Sequence, residues 1–113
     1  MKVLGRGSKA LLADLLAVKD FLEQTVMAMG WIRTEAHVTQ GLDTIAGAVV
    51  LPDAHVAIHV DYERAYFVCD VYSGQGVYER FFEVLELALK SSFGAYKIMT
   101  SDMSNSLEYF DDV

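Results

Sequence analysis

The chain has 113 residues, which is the size of one domain, so residues 1–113 are treated as a single unit. Its net charge of −7 disfavours nucleic acid as a partner, because phosphate binding requires clustered Lys and Arg side chains. No apolar run reaches the ~18 residues of a membrane span, and the single cysteine, Cys69, excludes an intramolecular disulfide. We expect a globular protein of a reducing compartment, the cytoplasm.

The first segment with a pattern of its own covers residues 9–18. It is composed of Lys, Ala, Leu, Asp and Val, and its helix propensity is high, which alone favours a helix. We predict a strand here instead, on the strength of a family resemblance described below, because tertiary pairing often overrides propensity.

Two segments have the apolar spacing of amphipathic helices. The first covers residues 19–29 and ends before Gly30, and the second covers residues 77–91 and ends before Gly94. The stripes expected to face a core are Phe21, Leu22, Thr25, Val26 and Met29 in the first, and Val77, Phe81, Val84, Leu85 and Ala88 in the second.

Strand signals fall between and after these helices, with a hairpin connection at residues 62–64. The predicted strands are residues 31–39, 46–51, 55–60, 65–72 and 96–99. Pro52 ends the second of them. Together with residues 9–18 the order is β-α-β-β-β-β-α-β. This order predicts an α+β fold, a two-layer α/β sandwich with an antiparallel sheet and two helices on one face.

The central block carries a family likeness. Gly47 in an apolar strand is followed by Asp53-Ala54-His55, by Ile58-His59, and by a strand that contains Asp70. This order resembles the prokaryotic, pyruvoyl-dependent S-adenosylmethionine decarboxylases, whose pattern is a glycine, Glu-Ser-His, Ile-His-Thr and an aspartate strand ending in Thr-Cys-Gly. The likeness runs from Met1 to about Met99. In the family, an opening Leu-Gly motif precedes a long strand. This is the reason for predicting a strand at residues 9–18.

The resemblance implies an enzyme without its essential residue. In the family, a serine attacks the preceding carbonyl, an ester forms, and elimination leaves a pyruvoyl group that binds the substrate amine as a Schiff base. Here that position is Ala54, so we expect no pyruvoyl cofactor and an uncut chain. Ala46 replaces a second serine that assists processing, and Gly74 replaces the catalytic cysteine. Three losses favour natural divergence over an engineered Ser-to-Ala trap.

The same resemblance implies the site residues. Candidate catalytic residues are Glu63, His59 and Tyr66, and candidate ligand-binding residues are Asp53, Ala54, His55, Tyr62 and Ser73. The two histidines of the strand face one side, but ~13 Å separates them along it, so no metal site is predicted. Cys69 is interpreted as an inert core thiol.

The sequence leaves several functions open. The first is a decarboxylase-like protein that binds S-adenosylmethionine without decarboxylating it, or that regulates an active decarboxylase partner in polyamine (spermidine) biosynthesis. The second is a lyase, which folds S-adenosylmethionine into a near-attack conformer so that its carboxylate displaces methylthioadenosine and closes to homoserine lactone.

Two further alternatives are a decarboxylase trapped by a Ser-to-Ala mutation at Ala54, and a structural module without a ligand. Whether the protein is an enzyme therefore stays undecided at this stage. In the resembled family the active site lies between two protomers, which implies a homo-oligomer with an interfacial site.

Overall fold

The structure, a computed structural model, describes residues 1–31, 35–74, 78–93 and 96–102. Its elements in chain order are β1 (Lys2–Gly7), α1 (Lys9–Leu12), α2 (Leu15–Ala28), β2 (His37–Gln40), β3 (Thr44–Leu51), β4 (Ala54–Asp61), β5 (Tyr66–Ser73), α3 (Tyr78–Phe93) and β6 (Tyr96–Asp102). The predicted α+β sandwich is confirmed. No helix in the described ranges is long and apolar enough to cross a membrane.

The described strands form one sheet in the order β2-β3-β4-β5-β1-β6, and every pairing is antiparallel. A two-residue turn joins β3 to β4, and residues 62–65 join β4 to β5 as the predicted hairpin connection. Ala65 closes the second turn in the left-handed region, with φ of 59°. The N-terminal β1 lies between β5 and β6, so the two ends of the described chain meet in the sheet.

Strand pleating gives the sheet two different faces. In β4, Val56, Ile58 and Val60 are buried, while the residues between them are partly exposed. The same alternation runs through β5. The buried side packs against α2 and α3 and is called the core face. The opposite side, called the open face, carries the even-numbered residues of β1, β3 and β5 and the odd-numbered residues of β2 and β4.

Aromatic side chains join the two layers. The ring of Phe93 in α3 lies 5.4 Å from that of Phe21 in α2 and 6.2 Å from that of Phe67 in β5, measured between centroids. The stripe predicted for residues 19–29 is buried throughout. Gly30 follows α2 with φ of 75°, which confirms it as the stop.

The second predicted stripe also faces the core where it is described. Leu85 and Ala88 are buried in α3. Val77, Gly94 and the side chain of Phe81 lie outside the described residues, as do residues 32–34 of the predicted strand 31–39. The described end of that strand is the short β2.

The strand predicted for residues 9–18 is wrong. These residues form α1 and the first turn of α2, and the first strand lies earlier, at residues 2–7. The physical reason is local, because high helix propensity is joined by a strong helix start. The Asp14 carboxylate accepts hydrogen bonds from the N–H groups of Leu16 at 3.0 Å and Ala17 at 3.3 Å.

Cys69 lies on the core face and is fully buried, as interpreted from the sequence. Burial raises the pKa of its thiol, and the neighbouring carboxylate of Asp70 raises it further. The thiol therefore stays neutral at ordinary pH and is a poor nucleophile.

Gly47 lies where side chains of α2 and β2 pack closely against β3. A Cβ at this position would lie 2.6 Å from Val38 Cγ1 and 2.7 Å from Leu22 Cδ1. We expect Gly47→Ala to lower the free energy of unfolding by roughly 1–3 kcal/mol through overpacking, measured by chemical denaturation. Gly7→Ala is the matched control, because its Cβ would meet Leu12 at an ordinary 3.5 Å. Equal stability of the two variants would contradict the packing described.

The Cys69 thiol should be a reporter of unfolding. At pH 8.5 we expect iodoacetamide to alkylate the native protein slower than the denatured protein by about two orders of magnitude or more, because only the exposed thiolate reacts. Intact mass measured over time, with and without guanidinium, gives both rates. Rapid labelling of the native protein would show that the thiol is accessible.

Candidate functional site

Residues paired across the sheet form rows on the open face, because directly opposed side chains of antiparallel strands lie side by side. One row crosses five strands and contains, in order, His37, Ala48, Ala57, Asp70 and Lys2. Its middle is made of two alanines and its ends of longer side chains. The open face is therefore recessed at the centre of this row.

The recess is a cavity of about 500 Å³, a size that falls within the ~300–1,000 Å³ of small-molecule sites. Besides that row, it is lined by Ala46 and His59, which pair with each other in the next row. Alanines at three of its positions keep the floor low and apolar. Histidine, lysine, aspartate and threonine side chains supply the polar groups.

The charge at this cavity centres on Asp70. Its Oδ1 is buried and has no hydrogen-bond partner among the described residues. Its Oδ2 lies 3.8 Å from Nε2 of His55, which is longer than a hydrogen bond. The His55 ring stacks on Tyr72 with centroids 5.6 Å apart. The histidine is thus held by its cross-strand neighbour and leaves the carboxylate under-satisfied.

Three of the predicted ligand-binding residues lie at one end of β4. Ala54 is opposite Ser73, and both side chains are buried on the core side, with 7% and 6% exposed. The carbonyl of Asp53 accepts a hydrogen bond of 2.8 Å from the N–H of Gly74. None of these residues lines the open-face cavity.

Tyr62, Glu63 and Tyr66 lie at the other end of β4. The Tyr62 hydroxyl donates to the carbonyl of Leu42 at 2.7 Å, and the exposed Glu63 carboxylate lies 3.6 Å from Nζ of Lys9. Tyr66 is on the open face. The eight residues of β4 run from Ala54 at one end to Asp61 at the other, a span of ~23 Å.

The structure therefore does not bring the predicted residues into one site within a single chain. Of the predicted catalytic residues, only His59 lines the cavity, and His55 adjoins it through Asp70. Sequence analysis did not select His37, Asp70 or Lys2. Asp70 carried a signal, because it is a charged residue in an otherwise apolar strand, but its partners follow only from the strand order.

The described residues contain no group of three His, Cys, Asp or Glu side chains that could hold a metal ion. The cavity is better suited to an organic molecule, because its polar groups surround a floor of methyl groups. Its mixed charges favour a ligand that also carries both signs of charge.

The comparisons with known proteins agree with the likeness noted in the sequence. The pattern that defines the S-adenosylmethionine decarboxylase family matches residues 4–102. A comparison with curated proteins gives no match. Because the family match covers most of the chain and all of its described sheet from Leu4 onward, this protein belongs to the S-adenosylmethionine decarboxylase family.

Proposed function

We propose that this protein binds S-adenosylmethionine, or a closely related nucleoside, on its open face and does not decarboxylate it. Ala54 is the observation that carries the proposal. Self-cleavage in this family requires a hydroxyl that attacks the carbonyl of the preceding residue. At the matching position a buried methyl group faces Ser73.

The pyruvoyl group of the family does not fit the residues present. A methyl group offers no oxygen for the ester from which a pyruvoyl group arises. Gly74, at the position of the family's catalytic cysteine, has no side chain to protonate a product. Decarboxylation through such a group is therefore not part of the proposed function.

Ligand binding is supported by the cavity and by the family. Its volume suits a nucleoside with an amino acid side arm. His59 lines it, and this histidine stands at a position that the family uses in its active site. An apolar floor with a few polar groups around it is typical of small-molecule sites.

A homo-oligomer is part of the proposal. Ala46 and His59 lie in the middle of the sheet, whereas Ala54 and Gly74 lie at one end of it. The five residue steps from Ala54 to His59 along β4 span ~17 Å, too far for one site in one chain. A site shared between two protomers, as in the family, would bring such groups together, and an active decarboxylase chain is the other candidate partner.

The lyase alternative has less support. Its candidate contributors are Tyr62, Glu63, Tyr66 and Asp53. Within one chain Asp53 lies at the opposite end of β4 from the other three, so they meet around one sulfonium only if two protomers share the site. Tyr62 and Glu63 are also engaged with Leu42 and Lys9. Methylthioadenosine and homoserine lactone are the products that would distinguish it.

Incubation of the purified protein with S-adenosylmethionine tests the proposal. We expect saturable binding by calorimetry, an uncut chain by intact mass, and neither carbon dioxide nor methylthioadenosine. Carbon dioxide with a chain cut before Ala54 would overturn the proposal. Methylthioadenosine with homoserine lactone would establish the lyase instead. Absence of binding would leave a structural module.

Ala54→Ser tests whether only the serine is missing. We expect this variant to stay uncut, because Ala46 still lacks the hydroxyl that assists processing. Intact mass after prolonged incubation, beside the wild type, gives the result. Cleavage before residue 54 would contradict the inference that processing was lost at several positions.

A further inference from the structure

We infer that Asp70 and Lys2 bind the α-amino acid end of the ligand, with the Asp70 carboxylate on its ammonium group and the Lys2 ammonium on its carboxylate. This inference rests on the proposed function and adds to it the orientation of the ligand. It assigns a role to two residues that the resemblance leaves without one.

The first argument is the state of Asp70. A buried carboxylate oxygen without a donor is costly, and native proteins rarely leave one. Nε2 of His55 lies 3.8 Å from the other oxygen, which is beyond hydrogen-bond distance. An ammonium group in the cavity would supply the missing charged donor, and charge-assisted hydrogen bonds are the strong ones.

The second argument is the neighbour of Asp70. Lys2 pairs with it directly across β1 and β5, and both residues line the cavity. Directly opposed residues have Cβ atoms only ~4.5–5.5 Å apart. The two charges thus form an adjacent pair of opposite sign at one wall. An α-amino acid headgroup carries an ammonium and a carboxylate side by side. Its ammonium can therefore face Asp70 while its carboxylate faces Lys2.

The third argument is chemical. In the family the amine of S-adenosylmethionine is held covalently, as a Schiff base with the pyruvoyl group. Ala54 provides no carbonyl, so the amine stays protonated and needs an anionic partner. In the described part of the cavity lining, Asp70 is the carboxylate that can serve.

The row on the open face then sets the direction of the ligand. Beyond Asp70 come Ala57 and Ala48, whose methyl groups leave space for the ligand's carbon chain. His37 ends the row on the far side. The headgroup would therefore lie over β1 and β5, and the nucleoside would lie toward β2.

Three ligands allow the two proposed contacts to be tested one at a time. They are S-adenosylmethionine, decarboxylated S-adenosylmethionine and methylthioadenosine. The second lacks only the carboxylate, and the third lacks the whole amino acid end. Each is titrated by calorimetry into the wild type, Asp70→Asn and Lys2→Met. Asp43→Asn is the matched control, because it removes the same charge at an exposed position near the β2–β3 turn.

We expect Asp70→Asn to weaken the first two ligands by about tenfold to a hundredfold, as for loss of a charged hydrogen-bond partner. Lys2→Met should weaken S-adenosylmethionine alone by about tenfold. Methylthioadenosine should bind all four proteins equally. Unliganded Asp70→Asn should be no less stable than the wild type, since it removes a negative charge whose Oδ1 is buried without a donor, and a purely structural role would instead lower its stability.

Failure of the proposed function and failure of this inference give different results. If the wild type binds none of the three ligands, the proposed function fails. If it binds S-adenosylmethionine and Asp70→Asn binds it equally well, the inference is overturned. Weaker methylthioadenosine binding by Asp70→Asn would also overturn it, because the residue would then act on the shape of the cavity. Should Asp70→Asn not fold, the contrast between the first two ligands in Lys2→Met decides.

Discussion

The pairing of β4 with both of its neighbours is the constraint on which the rest of the structure depends. All eight of its residues have a partner in β3 and in β5. Because side chains alternate along a strand, this register sends Val56 and Ile58 to the helices and Ala57 and His59 to the open face. A slip of one residue would exchange the two faces, burying the histidines and exposing the core.

The burial of the core face holds that register in place. Three phenylalanines from α2, α3 and β5 meet there, and Gly47 allows α2 to approach β3 closely. Among the described residues, no helix covers the open face. Its side chains are therefore not needed for the core and can bind a ligand. Alanines in the middle of the row create a recess, and charged residues remain at its wall. The cavity is thus a consequence of side-chain sizes along paired strands.

The parts of the fold that sequence analysis predicted well are those set by local pattern. The stripes of α2 and α3 and the alternation in β4 and β5 each lie within one segment. Residues 9–18 show the converse. There the local signals, helix propensity and Asp14 as a cap, correctly indicate a helix. The strand expected from the family likeness is wrong. The family's long first strand is here divided into a short strand and a helix.

The site was harder to predict, for a geometric reason. The site residues predicted from the family likeness are close in sequence, but β4 is extended and places them at both of its ends. The row from His37 to Lys2, in contrast, joins residues from five strands, and its order depends on β1 lying between β5 and β6. No local pattern encodes that insertion. Asp70 was visible as a charge in an apolar strand, but its pairing with Lys2 was not.

The peptide bond before Ala54 is held by a hydrogen bond of the fold itself. The Gly74 N–H donates to the Asp53 carbonyl, the group that a serine at position 54 would attack. The same hydrogen bond ties the β3–β4 turn to the end of β5. It stabilises the hairpin whether or not a nucleophile follows. Its presence is therefore no sign of self-cleavage, and the chemistry depends on the side chain of residue 54, which here is a methyl group.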